Sequence, residues 1–289
     1  MYKIIVLAKQ VPDTRAVGKD AMKADGTVNR AALPAIFNPE DLNALEMALT
    51  VKDKFPDATI TVLTMGPIRA AEILRESLYR GADAGVLLTD KAFAGSDTLA
   101  TSYALACAVK KIGGFDIIFG GRQAIDGDTA QVGPQVAEKL GIPQVTYAEK
   151  IVSVKDKSIQ ITRRLERGVE TVEAQMPLVV TVNGTAPECR PRNAKRVMKY
   201  KKANTASELQ NASDDYIALH NDNPHLNITE WGAINVEPDI DQLGLKGSPT
   251  KVKQVQNIVF QVKDSKTITN DDEQIEDLMK ELIDNHSLG

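Results

Sequence analysis

Over its first two hundred residues the sequence alternates short apolar runs with segments of helical period. That alternation restricts the fold more than any other feature, because it is the pattern of a parallel sheet covered by helices on both faces. The runs Lys3 to Ala8, Thr59 to Met65, Gly85 to Thr89, Asp116 to Gly120 and Gln144 to Ala148 are the expected strands. Asn38 followed by Pro39, Glu40 and Asp41 reads as an N-cap with acids in the first helical turn, and Leu42, Leu45 and Leu49 then share one face. Pro67 opens a second helix that Gly81 ends, and Ser96 caps a third running to about Ile112. The expected class is α/β, an open, mostly parallel, doubly wound sheet.

Residues 150 to 182 change character. Ile151, Ser153, Ser158, Gln160 and Thr162, then Val169, Thr171 and Glu173, alternate in the two-residue period of antiparallel strands, with Glu166-Arg167-Gly168 as the turn. This predicts a β-hairpin on the sheet's edge. From 203 to about 260 both periods fade while Asn, Asp, Ser, Pro and Lys accumulate, which predicts an extended arm rather than a second compact domain. Ile275, Leu278, Met279 and Leu282 at helical spacing behind Asp271, Asp272 and Glu273 predict a terminal amphipathic helix that covers this chain or a partner. The expected division is therefore an α/β domain over 1–202 and an arm with its helix over 203–289.

Composition narrows the chemistry. A chain of 289 residues with 43% hydrophobic and 26% charged residues hides roughly 75% of its unfolded surface on folding, enough for a large core without staples. The longest apolar runs, such as Ile4 to Ala8 and Val179 to Val182, fall far short of the ~20 residues that span a bilayer. The expectation is no membrane insertion and no secretory leader. Cys107 and Cys189 cannot build a disulfide framework, and the cytoplasm is the expected setting. The histidines are His220, His225 and His286, so a zinc site, a Cys/His couple or a Ser/His/Asp triad would lack all the usual spacings. A bound cofactor is expected to supply the reactive chemistry.

The sharpest local signal runs from Phe119 to Pro134, a glycine-rich segment between a strand and the helix marked by Val136 and Leu140. A strand that passes through such a turn into a helix N-terminus presents unpaired N–H groups that bind phosphate. Pro134 places the helix start near Val132, leaving Gly127 to Val132 as a loop of donors. A tight turn with glycines for packing alone is the competing reading. Neither G-x-G-x-x-G nor GxxxxGK[ST] is present, which excludes a standard dinucleotide fingerprint and a P-loop. Ala8 to Asp13, Met65-Gly66 and Ala92 to Thr101 gather at the same end of the sheet, where open α/β sheets bind ligands, with Asn38 close in topology. Thr98 and Thr101 share a helix face and can hydrogen-bond a polar ring or ribose; equally, they can satisfy their own helix carbonyls.

Arg190, Arg192, Lys195, Arg196, Lys199, Lys201 and Lys202 fall within thirteen residues that contain no acid. Such a run binds nucleic acid, steers a negatively charged protein or is simply a solvated face. A net charge of -4 and an aromatic fraction of 4% argue against nucleic acid.

These pieces together resemble the beta subunit of electron transfer flavoprotein. The similarity covers essentially the whole chain: Ala8 to Asp13 after the first strand, Asn38-Pro39 before its helix, Gly120 to Gly133, and Leu243 to Thr250 in the arm. The resemblance implies a sheet of the adenine-nucleotide-binding type, and a heterodimer whose alpha subunit holds a redox-active FAD. This subunit would bind an adenine nucleotide, AMP in ordinary members, through loops matching Ala8, Lys9, Asn38, Met65, Gly66 and Gly121 to Gln131. The usual pattern has a Thr beside the phosphate where this chain has Val132, next to Gly133, and it lacks the Asp97-Thr98-x-x-Thr101 cluster. Both departures resemble the electron-bifurcating branch, in which a second FAD replaces AMP.

That branch implies that the FAD here takes a hydride from NADH. One electron then goes to a low-potential carrier such as ferredoxin or flavodoxin, and the other, through the alpha-subunit flavin, to an acyl-CoA-type or other flavin-dependent dehydrogenase. Gly127, Asp128, Thr129, Ala130 and Gln131 would serve the pyrophosphate or ribose, Asn38 and Met65 the adenosine, and Asp97, Thr98 and Thr101 the flavin ring. Arg122, beside Gln123, would favour an anionic reduced flavin or form a salt bridge on its loop. The segment matching Asn183 to Lys202 would recognise the partner through Arg192, Lys195, Arg196, Val197, Met198 and Lys199, although Lys195, Arg196 and Val197 stand where many members carry a Leu-Pro. The arm and terminal helix would wrap the alpha subunit. Two other functions compete: an AMP-bearing carrier subunit, and an adenine-nucleotide module with no redox role.

Overall fold

A computed structural model describes residues 1–13, 34–250, 267–285 and 287. The stretch of the expected arm at 251–260, and His286, lie outside the described residues. The chain divides into two compact units, 1–254 and 255–289.

The first unit is built on β1 (Lys3–Leu7), β2 (Gln10–Pro12), β3 (Ala35–Phe37), β4 (Thr59–Met65), β5 (Ala84–Leu88), β6 (Ile117–Gly121), β7 (Gln144–Lys155), β8 (Ser158–Leu165), β9 (Gly168–Gln175), β10 (Leu178–Val182) and β11 (Thr229–Trp231). Nine of these form one sheet in the order β11-β5-β4-β1-β6-β10-β7-β8-β9, while β2 and β3 make a separate antiparallel ribbon. Pairing is parallel from β11 to the start of β7 and antiparallel from β7 to β9. The helices are α1 (Pro39–Lys54), α2 (Ala71–Arg80), α3 (Thr98–Ile112), α4 (Val132–Leu140), α5 (Ala194–Tyr200), α6 (Asp214–Asp222) and α7 (Ala233–Val236).

Two cores follow from the strand period. On one face Ile4, Val6, Ile60 and Val62 pack with Leu45 and Leu49 of α1 and Ile73, Leu74 and Leu78 of α2. On the other, Ile5, Leu7, Leu63 and Ile118 pack with Ala104, Leu105 and Ala108 of α3 and Val136 and Ala137 of α4. Successive residues of β1 thus feed opposite cores, which is why the parallel strands are apolar throughout rather than alternating.

The expected strands and helices appear at their positions, with differences in capping, edge pairing, strand direction and extent. The cap of α3 is Asp97, whose carboxylate accepts from Leu99 and Ala100 N–H, and not Ser96, whose hydroxyl donates to the Phe93 carbonyl. The strand at 144–148 and the first arm of the hairpin are one bent strand, β7, and β8 and β9 complete a three-stranded antiparallel edge turning at Glu166 and Arg167. Leu178 to Val182, which fell inside the region read as antiparallel, is instead the parallel strand β10 between β6 and β7. It is buried on both faces, so its run of apolar residues carries no alternation. Finally, the first unit extends beyond residue 202 because β11 adds a parallel strand beside β5 and Leu226, Ile228 and Val236 are buried; three residues are too few to show a strand period.

The second unit carries α8 (Asp272–Asp284), capped by the Asp271 carboxylate, which accepts from Glu273 N–H. Among the described residues no helix is long and apolar enough to cross a membrane.

Phe119 sits fully buried in β6, paired with Val6 on one side and Val180 on the other. Phe119→Ala is expected to lower stability by about 3–5 kcal/mol, read as a shift in denaturant midpoint at unchanged slope.

Candidate functional site

The chain runs from β1 outward through β4 and β5, then returns to β6 on the opposite side of β1. The loops after β1 and β6 therefore diverge at a topological switch point, and ligands of open α/β sheets bind in the crevice between them, outside the carboxyl ends of the strands. Ala8 and Lys9, Met65 and Gly66, and Gly121 to Gln131 all lie in the loops or at the last strand residues of this end.

The first turn of α1 binds the two lips together. Asp41 is 7% exposed; its Oδ2 accepts from Lys9 N–H and its Oδ1 from Gly121 N–H, both at 2.8 Å. Burial pushes this carboxyl up to about 7, against the opposing effect of those two amides, the Asn38 side chain and the Lys9 charge. Glu40 accepts from Gln123 N–H at 2.9 Å and pairs with Arg122 at 3.0 Å. Of the two roles expected for Arg122, the structure places it in the salt bridge on its loop. Asn38, fully buried, stands at the N-cap position of α1 but does not cap it. Its Nδ2 donates to the Gln123 carbonyl at 2.9 Å and its Oδ1 accepts from Ile125 N–H at 3.2 Å. Asn38 N–H in turn donates to the Lys9 carbonyl at 3.0 Å. Above this layer Lys9 Nζ forms an ion pair with Asp126 at 2.7 Å, lip to lip across the crevice.

Gly121 is required at its position, since a Cβ there would lie 2.4 Å from Asp41 Oδ1 and 2.8 Å from Asp41 N. Gly133 is held similarly, with a Cβ meeting Thr181 Cγ2 at 2.5 Å.

The loop from Arg122 to Gln131 leads into α4 through two left-handed residues, Asp128 (φ 49°) and Ala130 (φ 52°). Non-glycine residues hold such φ values at a cost that concentrates at functional sites, and alternating backbone of this kind turns successive N–H groups toward one concavity. Among the described residues, the N–H groups of Thr129, Ala130 and Gln131 have no protein acceptor, and those of Val132 and Gly133 open the first turn of α4. Gln123 Nε2 holds the Asp128 carboxylate at 2.9 Å. Thr98 Oγ1 donates to Gln131 Oε1 at 3.0 Å, so the hydroxyl cluster of α3 meets the loop at its end.

Asp97 is engaged by the protein. Besides capping α3 it accepts from Thr250 N–H at 3.1 Å and Thr250 Oγ1 at 2.7 Å, and its own N–H donates to Ser248 Oγ, tying residues 248–250 to α3. Thr101 is half-buried one turn beyond Thr98. Met65 is half-buried at the end of β4, and Gly66 N–H donates to the Leu88 carbonyl.

The basic run separates into two sets. Arg190 pairs with Glu46 and Asp53, Arg192 with Glu76, and Arg196 donates to the carbonyls of Leu78 and Ala82. These arginines fasten the segment to α1 and α2. Lys195, Met198 and Lys199 are left outward on α5, with Met198 65% exposed and Val197 half-buried. Among the described residues no group of His, Cys, Asp and Glu is placed to hold a metal ion.

The sequence marks Glu40 and Asp41 only as first-turn acids. Their partners lie 32 residues before Asp41 (Lys9) and 80 to 83 residues after the pair (Gly121, Arg122 and Gln123), and no spacing signals such contacts.

A family model described as the electron transfer flavoprotein domain matches residues 25–208. The electron transfer flavoprotein subunit beta of Clostridium acetobutylicum is 46% identical over 250 residues, 86% of each chain. A caffeyl-CoA reductase-Etf complex subunit of Acetobacterium woodii is 50% identical over 62% of this chain and 67% of its own. An acryloyl-CoA reductase electron transfer subunit gamma of Anaerotignum propionicum is 40% identical over 98% of this chain and 99% of its own.

Asn38→Ala removes two buried hydrogen bonds and leaves Gln123 O and Ile125 N–H without their partner. It is expected to cost about 2 kcal/mol and to speed proteolysis within 122–131, checked by thermal unfolding and by mapping the first cleavage.

Proposed function

The chain belongs to the electron transfer flavoprotein family as a beta subunit, and on that premise we propose that its crevice holds an FAD within a cytoplasmic heterodimer with an alpha subunit. In this reading the complex oxidises NADH and divides the electrons between a low-potential carrier, such as ferredoxin or flavodoxin, and a flavin-dependent dehydrogenase reached through the alpha-subunit flavin.

The observation that carries the cofactor assignment is the left-handed pair Asp128 and Ala130, which leaves a row of unsatisfied amides in front of α4. Unsatisfied amides converging at a helix N-terminus form an anion cradle, and a pyrophosphate fits that donor set. Thr98 and Gln131, already in contact, extend the polar surface past the phosphate position, toward a group larger than AMP carries. The adenosine would lie against Met65; Asn38, expected from the sequence to touch it, is fully buried with both side-chain groups bonded and would instead hold the loop that lines that side. Two relatives whose names place them in CoA-thioester reductase systems support the bifurcating branch over the plain carrier. The two cysteines are free, which agrees with a reducing compartment.

When bound, the flavin supplies hydride acceptance and single-electron release. This chain's residues bind and orient it: the loop amides hold the pyrophosphate, Thr98, Thr101 and Gln131 orient the ring end, and Lys9, paired with Asp126, stands over the mouth. Arg122 is neutralised by Glu40, so its influence on the ring is indirect, through the loop it stiffens.

The partner dehydrogenase docks on α5, where exposed Met198 between Lys195 and Lys199 offers an apolar contact inside a positive ring. The alpha subunit covers the terminal helix, on which Ile275, Met279 and Ile283 are exposed.

Extraction of cofactors from the purified heterodimer should give two FAD per pair, with the flavin colour bleached anaerobically by NADH. One FAD with one AMP would mean the plain carrier instead, and no flavin would mean a non-redox module. Met198→Asp should raise the KM for the partner dehydrogenase roughly tenfold or more, as loss of a central interface contact does, while bleaching by NADH is unchanged.

A further inference from the structure

We propose that Asp41 is a positioning residue for the crevice: its ionised carboxylate ties the end of β1 to the end of β6, and on taking up a proton it loosens the two lips and weakens the hold on an adenine dinucleotide. This rests on the crevice being a nucleotide site, and it concerns a residue that the sequence marks only as a first-turn acid.

The geometry requires charge. Each carboxylate oxygen faces one backbone N–H at 2.8 Å, Lys9 on one lip and Gly121 on the other. A carboxylate is acceptor-only and serves both donors; a carboxylic acid turns one oxygen into a donor that faces an N–H. The tie to that oxygen is then weakened, because a hydroxyl oxygen is a poorer acceptor than a carboxylate oxygen.

The charged groups around Asp41 are matched among themselves. Lys9 from the β1 loop pairs with Asp126 from the β6 loop, and Arg122 from the β6 loop pairs with Glu40 on Asp41's own helix. Burial therefore dominates, and the carboxyl is pushed up to about 7. No histidine precedes His220 in the sequence, so no imidazole from the segments that build the crevice titrates in this range. The Met1 amino group stands before β1, at the opposite end of the sheet.

Two opposed trends follow. The folded carboxyl binds its proton more tightly than the unfolded one. Its contribution to stability is therefore complete in acid, below the unfolded value, and is given up as pH rises through about 7. Nucleotide affinity moves the other way, rising as the strut ionises. The phosphates are held by the amides before α4, not by the two that Asp41 occupies, so carboxylate and phosphate do not compete for donors. A residue that served packing alone would not produce this divergence.

The test measures FAD affinity of the full-length chain, stripped of bound nucleotide, between about pH 6 and about pH 8.5. The pyrophosphate remains ionised over that range, so the ligand contributes no titration there. Affinity is expected to be roughly tenfold tighter at the alkaline end, the worth of one charge-assisted hydrogen bond. Asp41→Asn should be weak at both ends and flat between them. A flat wild-type profile, or a variant that keeps the wild-type slope, would overturn the proposal. Should the variant fail to fold, amide exchange in the nucleotide-free wild-type chain decides: protection of Lys9 and Gly121 N–H, corrected for intrinsic rate, must fall in acid, and unchanged protection refutes the strut. FAD binding at no pH would remove the nucleotide reading itself, and the exchange measurement would then judge the strut alone.

Discussion

A helix N-terminus whose side chains satisfy the backbone of two neighbouring loops organises the crevice end of the fold. Asp41, Glu40 and Asn38 lie in or just before the first turn of α1, and together they serve the amides of Lys9, Gly121, Gln123 and Ile125 and the carbonyl of Gln123. Buried backbone groups must be paired, and beyond the paired ends Leu7 and Gly120 the loops after β1 and β6 diverge, so their amides cannot pair with each other. The α1 turn supplies the missing partners. Its acids also suit the positive end of the helix, which makes one cluster serve helix, loops and crevice at once.

The same economy explains why the loop before α4 can remain strained. Asp128 and Ala130 keep left-handed backbone; the amides of Gly127 and Asp128 donate to the Ala124 carbonyl, while among the described residues those of Thr129, Ala130 and Gln131 have no protein acceptor. Such a loop collapses unless its base is held. Here the base is held by Asn38 and Glu40 on one side and by the Gly133 contact with Thr181 on the other. The chain thus contributes a rigid cradle and few reactive side chains, in keeping with a protein whose chemistry resides in a bound group.

Much of the fold was legible. Buried parallel strands write themselves as continuous apolar runs, and β1, β4, β5 and β6 appear where such runs stand; Pro39, Gly81 and Pro134 mark helix ends. Legibility failed where length or context removed the signal. β11 is three residues long, and β10 resembles its neighbours in composition while differing in direction. Asp97, not Ser96, caps α3, and its carboxylate also meets Thr250, 153 residues away, a contact no local pattern signals. Of the candidate site, the loop Gly121 to Gln131 and its helix were readable from glycines and Pro134. The basic run was readable only as charge, since nothing in its order separates Arg190, Arg192 and Arg196, which staple the segment to α1 and α2, from Lys195 and Lys199, which face solvent.

By itself the sequence determined the sheet class, the strands β1, β4, β5 and β6 with the helices α1 to α4, and the glycine-rich segment between β6 and α4. Those depend on local period, on glycine and proline stereochemistry, and on the absence of histidine before residue 220. Only the tertiary structure decided that Asn38 and Asp41 work across the crevice, that Arg122 is neutralised by Glu40, and that Met198 stands outward. Each of these is set by which distant backbone groups the sheet brings within about 3 Å, and a chain read in one dimension holds no record of that distance.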